Sequence, residues 1–397
     1  MIETVRNEME KKECKELGVM SLDNVKRAHA FHKSFPMYEE TPLAELDNFA
    51  RLHGLGGVFV KDESYRFGLN AFKVLGGSFA MANYIAEKVG RDIADVTYDY
   101  LTSERLKKEF GQATFFTATD GNHGRGVAWA ANKLGQKSVV HMPKGSQKIR
   151  LDNILKENAV ATIEDVNYDE CVRIANREAN ETENGVMVQD TAWEGYEKIP
   201  SWIMQGYGTM AMEADEQLGR RPTHIFIQAG VGSLAGAVQG YFANRYPDDC
   251  PTTVVVEPNE AACVYKSAKA GKIQFVEGDM PTIMAGLACG EPNTISWQIL
   301  KNKSAFFASV PDWVSAKGMR TLGCPVKGDR QVVSGESGAV TMGFLAAITE
   351  REEYRHIKEE IGLDENSVVL LFSTEGDTDP ENYRRIVWDG AYNSEEK

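Results

Sequence analysis

The apolar positions of the chain change period repeatedly from Ala113 onward. Short runs rich in β-branched and aromatic residues alternate with longer stretches whose apolar residues recur every three to four positions. The pattern predicts strands over Thr114–Thr119, Ser138–Met142, Val160–Ile163 and Val186–Gln189. Between them it predicts helices over Gly124–Leu134, Ser146–Glu157 and Tyr168–Asn180. Strands that alternate with helices in this way form an open parallel sheet. A second α/β unit starts with the strand His224–Gln228 and its glycine-rich turn and continues through Thr253–Val256. Val368–Phe372 is a further apolar strand, stopped by Ser373-Thr374-Glu375-Gly376.

In parallel sheets the ligand crevice lies beyond the carboxyl ends of the strands. Asp120 follows the first of these strands and Asp190 the last of the same sheet, so both carboxylates are expected at one edge. Each could equally cap a following helix, for Asp190 one beginning near Glu194. Gly230-x-Gly232-x-x-Ala235 lies between a strand and a helix, with Glu257 closing the next strand. That spacing admits a nicotinamide dinucleotide, with Glu257 on a ribose. The physics guarantees less: backbone amides that can approach an anion at a helix amino terminus, or simply a tight turn.

Composition narrows the possibilities. Across 397 residues, 42% are hydrophobic, enough for one large or two ordinary cores. The formal net charge of −14, from 44 basic and 58 acidic residues, offers no diffuse basic field, so nucleic acid is not an expected partner. No run of eighteen apolar residues and no apolar leader is present, which predicts neither membrane insertion nor export. Six cysteines at 14, 171, 250, 263, 289 and 324 form no C-x-x-C pair, so no metal site is expected. Their low density suits a reducing, cytoplasmic setting, with Cys263 and Cys289 read as separate thiols.

Lys73 sits in unusual company, within Asn70-Ala71-Phe72-Lys73-Val74-Leu75-Gly76-Gly77. A helix from Ala71 to about Lys88 would place it in the first turn. There the helix dipole and partial burial both favour a neutral amine, which can attack an aldehyde. The alternative is a lysine that snorkels from an amphipathic helix into water.

Taken in order, three motifs resemble the fold type II pyridoxal-phosphate enzymes, the group holding serine and threonine dehydratases, serine racemase and the tryptophan synthase β chain. They are Asn70-Ala71-Phe72-Lys73, Thr117-Ala118-Thr119-Asp120-Gly121-Asn122-His123-Gly124, and Gly230-Val231-Gly232-Ser233-Leu234. Ser334-Gly335-Glu336-Ser337-Gly338-Ala339 and Leu371-Phe372-Ser373 extend the similarity, which covers roughly residues 40 to 380. The resemblance implies two open twisted α/β domains with the cofactor, pyridoxal 5′-phosphate, in the cleft between them. The large cofactor-binding domain is expected at 1–85 plus 215–397, and a small mobile one at 86–214. It further implies Lys73 as the Schiff-base lysine, Phe72 near the ring, Asn122 on the ring hydroxyl and the backbone of Gly230, Val231, Gly232, Ser233 and Leu234 around the phosphate. Ser373, or Thr374 if the register shifts, would stand beside the pyridine nitrogen. A homodimer is also implied.

One departure narrows the substrate. Where the dehydratases and the racemase carry serine or alanine before Gly-Asn-His, this chain has Asp120. In the racemase that position faces the substrate from the side opposite the lysine, so the resemblance implies a second proton acceptor there. The run Gln189-Asp190-Thr191-Ala192-Trp193-Glu194-Gly195-Tyr196-Glu197-Lys198-Ile199-Pro200, with Lys61-Asp62-Glu63-Ser64 and Arg66-Phe67-Gly68-Leu69-Asn70, resembles the branch of the family that acts on 2,3-diaminopropionate. This resemblance implies a lyase that releases pyruvate and two ammonia from a small amino acid, the L and also the D isomer. Asp120 and Lys73 are then the catalytic candidates, and Asp120, Asp190, Thr119, His123 and Tyr168 the substrate-binding ones. Tyr168 has a surface role as its alternative. A serine or threonine dehydratase, a racemase and a catalytically silent scaffold remain the competing readings, and the segment 91–110 has no assigned role.

Overall fold

A computed structural model describes residues 1–119 and 121–393. In chain order its strands are β1 (Glu3–Arg6), β2 (Leu43–Glu45), β3 (Gly57–Asp62), β4 (Thr114–Ala118), β5 (Lys137–Met142), β6 (Val160–Ile163), β7 (Gly185–Met187), β8 (His224–Gln228), β9 (Thr252–Pro258), β10 (Phe306–Val310) and β11 (Val368–Ser373). They form two sheets, in two compact units. One unit comprises 1–21, 40–70 and 210–397, the other 22–39 and 71–209.

The seven-stranded sheet of the first unit has the order β1-β10-β9-β8-β11-β3-β2. Its five inner strands are mutually parallel, and only the edge strands β1 and β2 run antiparallel. Parallel strands covered on both faces read as unbroken apolar runs. Accordingly, every residue of β3, β8 and β11 is buried. The mutual alignment also brings Asp62, Gln228, Glu257 and Ser373 to a common edge of that sheet.

The second unit carries the all-parallel sheet β6-β5-β4-β7, the open sheet expected from the alternating pattern. The helices Asn122–Lys133, Lys148–Leu155 and Tyr168–Glu181 fall where the 3.6-residue period placed them, and β6 has the expected bounds. Two expectations shift. The helix that follows Lys73 begins at Val74, so the lysine occupies the capping position instead of the first turn. The segment after β7 stays irregular until a helix starts at Lys198, not near Glu194.

The units also divide the chain differently from the expected 1–85 plus 215–397 against 86–214. The helix Val74–Lys88 groups with the second unit because it packs on Asn122–Lys133. There Gly126 lies so near the helix start that a Cβ would stand 2.7 Å from the Val74 nitrogen. The helix Leu22–Lys33 joins it for a similar reason, since His32 bonds the Leu75 carbonyl at 3.0 Å and the Thr209 hydroxyl at 2.7 Å. Among the described residues no helix is long and apolar enough to cross a membrane, and all six cysteines are free thiols.

Candidate active site

In the second unit, Lys73 is set at the head of its helix by close backbone packing from two sides. Gly126 approaches from one helix. Gly206, in the helix Lys198–Leu218, approaches from another, and a Cβ there would meet the Leu75 carbonyl oxygen at 2.3 Å. Larger residues at either position would push the helix start away. Lys73 Nζ contacts Asp190 Oδ2 and lies 5.5 Å from the centre of the Phe72 ring and 5.8 Å from that of Tyr207. The lysine side chain keeps 21% exposure while that of Asp190 has 6%.

Asp190 arrives through the end of β7. Gln189, one residue earlier, accepts from Thr117 Oγ1 at 2.8 Å and from the Ala118 amide at 3.0 Å, and donates to the Tyr168 hydroxyl at 2.7 Å. Its own amide donates to Tyr196 Oη at 2.8 Å. These bonds carry the β4–β7 pairing past the last strand residue, so the backbone delivering Asp190 is held on both sides. Burial alone would raise the Asp190 pKa, but the Lys73 charge and then that of His123 overcome it, holding the carboxyl well below the usual range. Asp190 is therefore held as a carboxylate beside Lys73.

The other candidates of this unit divide. His123 stands with Asp190, its Nδ1 4.0 Å from Oδ2, while Nε2 faces the Val188 carbonyl at 2.9 Å. A carbonyl can only accept, so Nε2 carries a proton. Tyr168 is drawn to the same strand end through Gln189, which excludes a purely surface role. Thr119 is buried and its hydroxyl accepts from the Gly121 amide at 2.9 Å, shaping the turn before Asn122, the first residue of its helix. Asp120 lies outside the described residues. Tyr207 was missed from sequence. It is fully buried, its ring 4.7 Å from that of Phe72, its hydroxyl 3.4 Å from Asp190 Oδ2.

In the first unit, the turn Gly230-Val231-Gly232 leads directly into the helix Ser233–Arg245. Gly232 has φ +96°, a conformation that disfavours side chains, and a Cβ on Gly230 would meet the Gly286 oxygen at 3.2 Å and Cys289 Sγ at 3.3 Å. Asn293 pins the turn, donating from its amide to the Val231 carbonyl at 2.7 Å and from its side chain to Ser233 Oγ at 2.9 Å. The free amides of a helix amino terminus and its dipole together favour an anion here.

Ser373 and Thr374, both buried, close β11. Ser373 Oγ pairs with Ser334 Oγ at 2.7 Å, which joins two of the sequence motifs. Gln228, at the end of β8, donates to the carbonyls of Ser337 and Phe372 at 3.1 and 3.0 Å and to Thr374 Oγ1 at 3.0 Å. Two of these acceptors are carbonyls, so the amide orientation is fixed. Its Oε1 and the nearby Ser337 hydroxyl are buried without hydrogen-bond partners among the described residues.

Glu257 settles the dinucleotide reading. Both its oxygens are committed to backbone amides, of Val264 at 2.9 Å and of Tyr265 at 2.5 Å, at the start of the helix Cys263–Ala270. Fully buried and turned onto these amides, Glu257 is a helix cap with no surface open to a ribose. Cys263 and Cys289, whose pairing the spacing could not decide, are separate thiols.

Comparison with known proteins agrees with this arrangement. The family model described as pyridoxal-phosphate dependent enzyme matches residues 35–373. The diaminopropionate ammonia-lyase of Salmonella typhimurium is 51% identical over 368 residues, 91% of each chain. The crystal structure of holo diaminopropionate ammonia lyase from Escherichia coli superposes with a TM-score of 0.92 at 45% identity, covering 99% of this chain and 98% of that one. The same Escherichia coli enzyme in complex with D-serine gives the same score, identity and coverage. The chain belongs to the fold type II pyridoxal-phosphate-dependent enzymes, in their diaminopropionate ammonia-lyase family.

Proposed function

We propose that the protein converts 2,3-diaminopropionate and water into pyruvate and two ammonium ions. The observation that carries this reading is the contact of Lys73 with a buried, ionised Asp190. A substrate bearing a second ammonium suits a carboxylate fixed beside the reactive lysine, whereas a hydroxy amino acid would leave that charge without a cationic partner.

The residues fit the cofactor. The Gly230–Leu234 turn offers a phosphate the amides of a helix start, in a tight turn whose glycines are set by the packed residues around them. Ser373 offers a neutral hydroxyl to a pyridine nitrogen, and Lys73 an amine to an aldehyde. Phe72 and Asn122 complete the set near the ring. When bound there, the cofactor would supply an electron sink for the α-carbon, the chemistry that loss of a β-substituent requires.

The protein's own groups manage charge and protons around that event. Asp190 receives the β-ammonium of the incoming substrate and orients it. Lys73 takes the α-proton from one face, and the β-ammonium held by Asp190 departs as neutral ammonia when its bond to carbon breaks, needing no further proton. Asp120 takes the α-proton from the opposite face, so both enantiomers are accepted. His123 and Tyr168, held with Asp190 at one strand end, and Thr119, shaping the turn before Asn122, border the substrate. The protein is read as a homodimer acting in the cytoplasm, a reading supported by the family resemblance and by its free thiols.

An end-point assay of both products with each enantiomer is the test. Two ammonia per pyruvate from either isomer is the expected result. Turnover of serine without turnover of diaminopropionate would refute it in favour of a dehydratase. Asp120→Asn should lower D-isomer turnover by roughly 10²-fold or more while sparing the L isomer. Equal losses on both isomers would sink the two-face assignment.

A further inference from the structure

We infer that Tyr207 is a positioning residue that fixes the Asp190 carboxylate and thereby sets the preference for an amine over a hydroxyl at the β-carbon. The inference rests on the reading of Asp190 as the acceptor of the β-ammonium.

Tyr207 is fully buried in the middle of the helix Lys198–Leu218, and its hydroxyl reaches Asp190 Oδ2, the oxygen that also contacts Lys73. Buried phenols are retained where the hydroxyl has a partner to serve, since an apolar ring fills the same space without a polar atom to satisfy. The placement is built by its surroundings. A Cβ on Gly76 would stand 2.6 Å from Tyr207 Cε1, so the ring occupies space that only a glycine leaves. Gly206, the preceding residue, permits the helix to touch the backbone of Leu75 and Gly76. His32 then bolts the crossing by bonding both Thr209 and the Leu75 carbonyl. Phe72 packs against the free side of the ring. The ring is thus held beside Asp190 by contacts that do not depend on what Lys73 is bonded to, while the hydroxyl faces both Asp190 and Lys73.

That independence gives the tyrosine its role. When Lys73 turns from Asp190 to other chemistry, the carboxylate keeps one fixed donor and stays oriented for an incoming ammonium. A substrate hydroxyl gains little from this orientation, because it carries no charge to match. Removing the phenol hydroxyl should therefore weaken diamino substrate selectively.

The test compares wild-type holoenzyme with Tyr207→Phe, using steady-state kinetics on diaminopropionate and competitive inhibition by serine. The expected result is a rise in KM for diaminopropionate of about tenfold, the scale of one hydrogen bond to a charged group. The change in kcat should stay below about threefold and the inhibition constant for serine should be almost unmoved, with the cofactor absorbance spectrum of the wild type. In an Asp190→Asn background the same substitution should have no further effect on KM. A purely structural role would change the serine constant, the spectrum and the melting temperature together, and would persist in the Asp190→Asn background; that outcome overturns the inference. Unchanged KM in Tyr207→Phe overturns it as well, leaving the proposed reaction intact. Absence of diaminopropionate turnover in the wild type would instead remove the underlying reading.

Discussion

Two lysines twelve positions apart, Lys61 and Lys73, each face a carboxylate, yet their surroundings are opposites. Lys61 is closed. Its Nζ donates to the Thr41 carbonyl at 2.7 Å, to Gln217 Oε1 at 2.8 Å and to Glu213 Oε2 at 2.7 Å, which uses all three of its protons. Glu213 in turn accepts from Arg66, whose guanidinium is also held by Glu63, and none of these side chains has measurable exposure. Lys73 keeps a fifth of its surface open and lies beside two aromatic rings. A saturated ammonium has no proton to give and no lone pair to offer. The difference is one of access: one lysine spends all three protons inside a sealed ionic cluster, the other keeps an exposed face beside its carboxylate.

Substitution of each lysine would break this comparison if the two proved alike. Lys73→Ala should lower pyruvate formation by roughly 10³-fold or more while leaving the chain folded. The loss of the covalently bound cofactor's absorbance after borohydride treatment and gel filtration checks the assignment. Lys61→Met should do the reverse. Removing one partner of a buried ionic cluster costs about 3–5 kcal/mol, read as a lower denaturant midpoint, with the covalent cofactor signal retained. Should Lys61→Met abolish attachment at unchanged stability, the division between a structural and a reactive lysine would fall.

The smallest expected effect concerns a third buried acid. Burial pushes Glu257 up to about 8 although two backbone amides favour its ionised form. Between the ordinary glutamate range and that value, the folded state holds a proton that the unfolded state has released. Stability contributed by this group therefore falls as pH rises from about 5 to 8. Glu257→Gln should flatten that part of the curve of unfolding free energy against pH. An unchanged slope would show that the amides keep the group ionised, placing it nearer to Asp190 in behaviour.

Much of this arrangement was legible in the sequence because it depends on local patterns. The alternation after Ala113 located the four strands of one sheet, and strand ends in a parallel sheet share an edge whatever their separation, so Asp190 could be placed near the chemistry. The glycine-rich turn was equally visible. What its pattern could not separate was function from coincidence at Glu257: the interval fits a ribose acid, but the carboxylate caps a helix start seven and eight residues later. Lys73 was legible by its neighbours, yet the contact it makes with a carboxylate joins residues 117 positions apart. Tyr207 stayed hidden because an aromatic residue at helical spacing reads as core. Gly76 and Gly206, each an awkward residue within a helix, were the available signal of a close crossing.

The same crossing bears on how far the enzyme could be adapted. Backbone rests on backbone where Gly206 meets Leu75, and the ring of Tyr207 fills the recess that Gly76 leaves. A crossing made of main chain has no side chain to trim, so space beside Lys73 and Asp190 cannot be gained by truncation on this side. Libraries that vary Gly76 or Gly206 would return mostly inactive clones, whereas positions around Tyr168 retain side chains that can be exchanged.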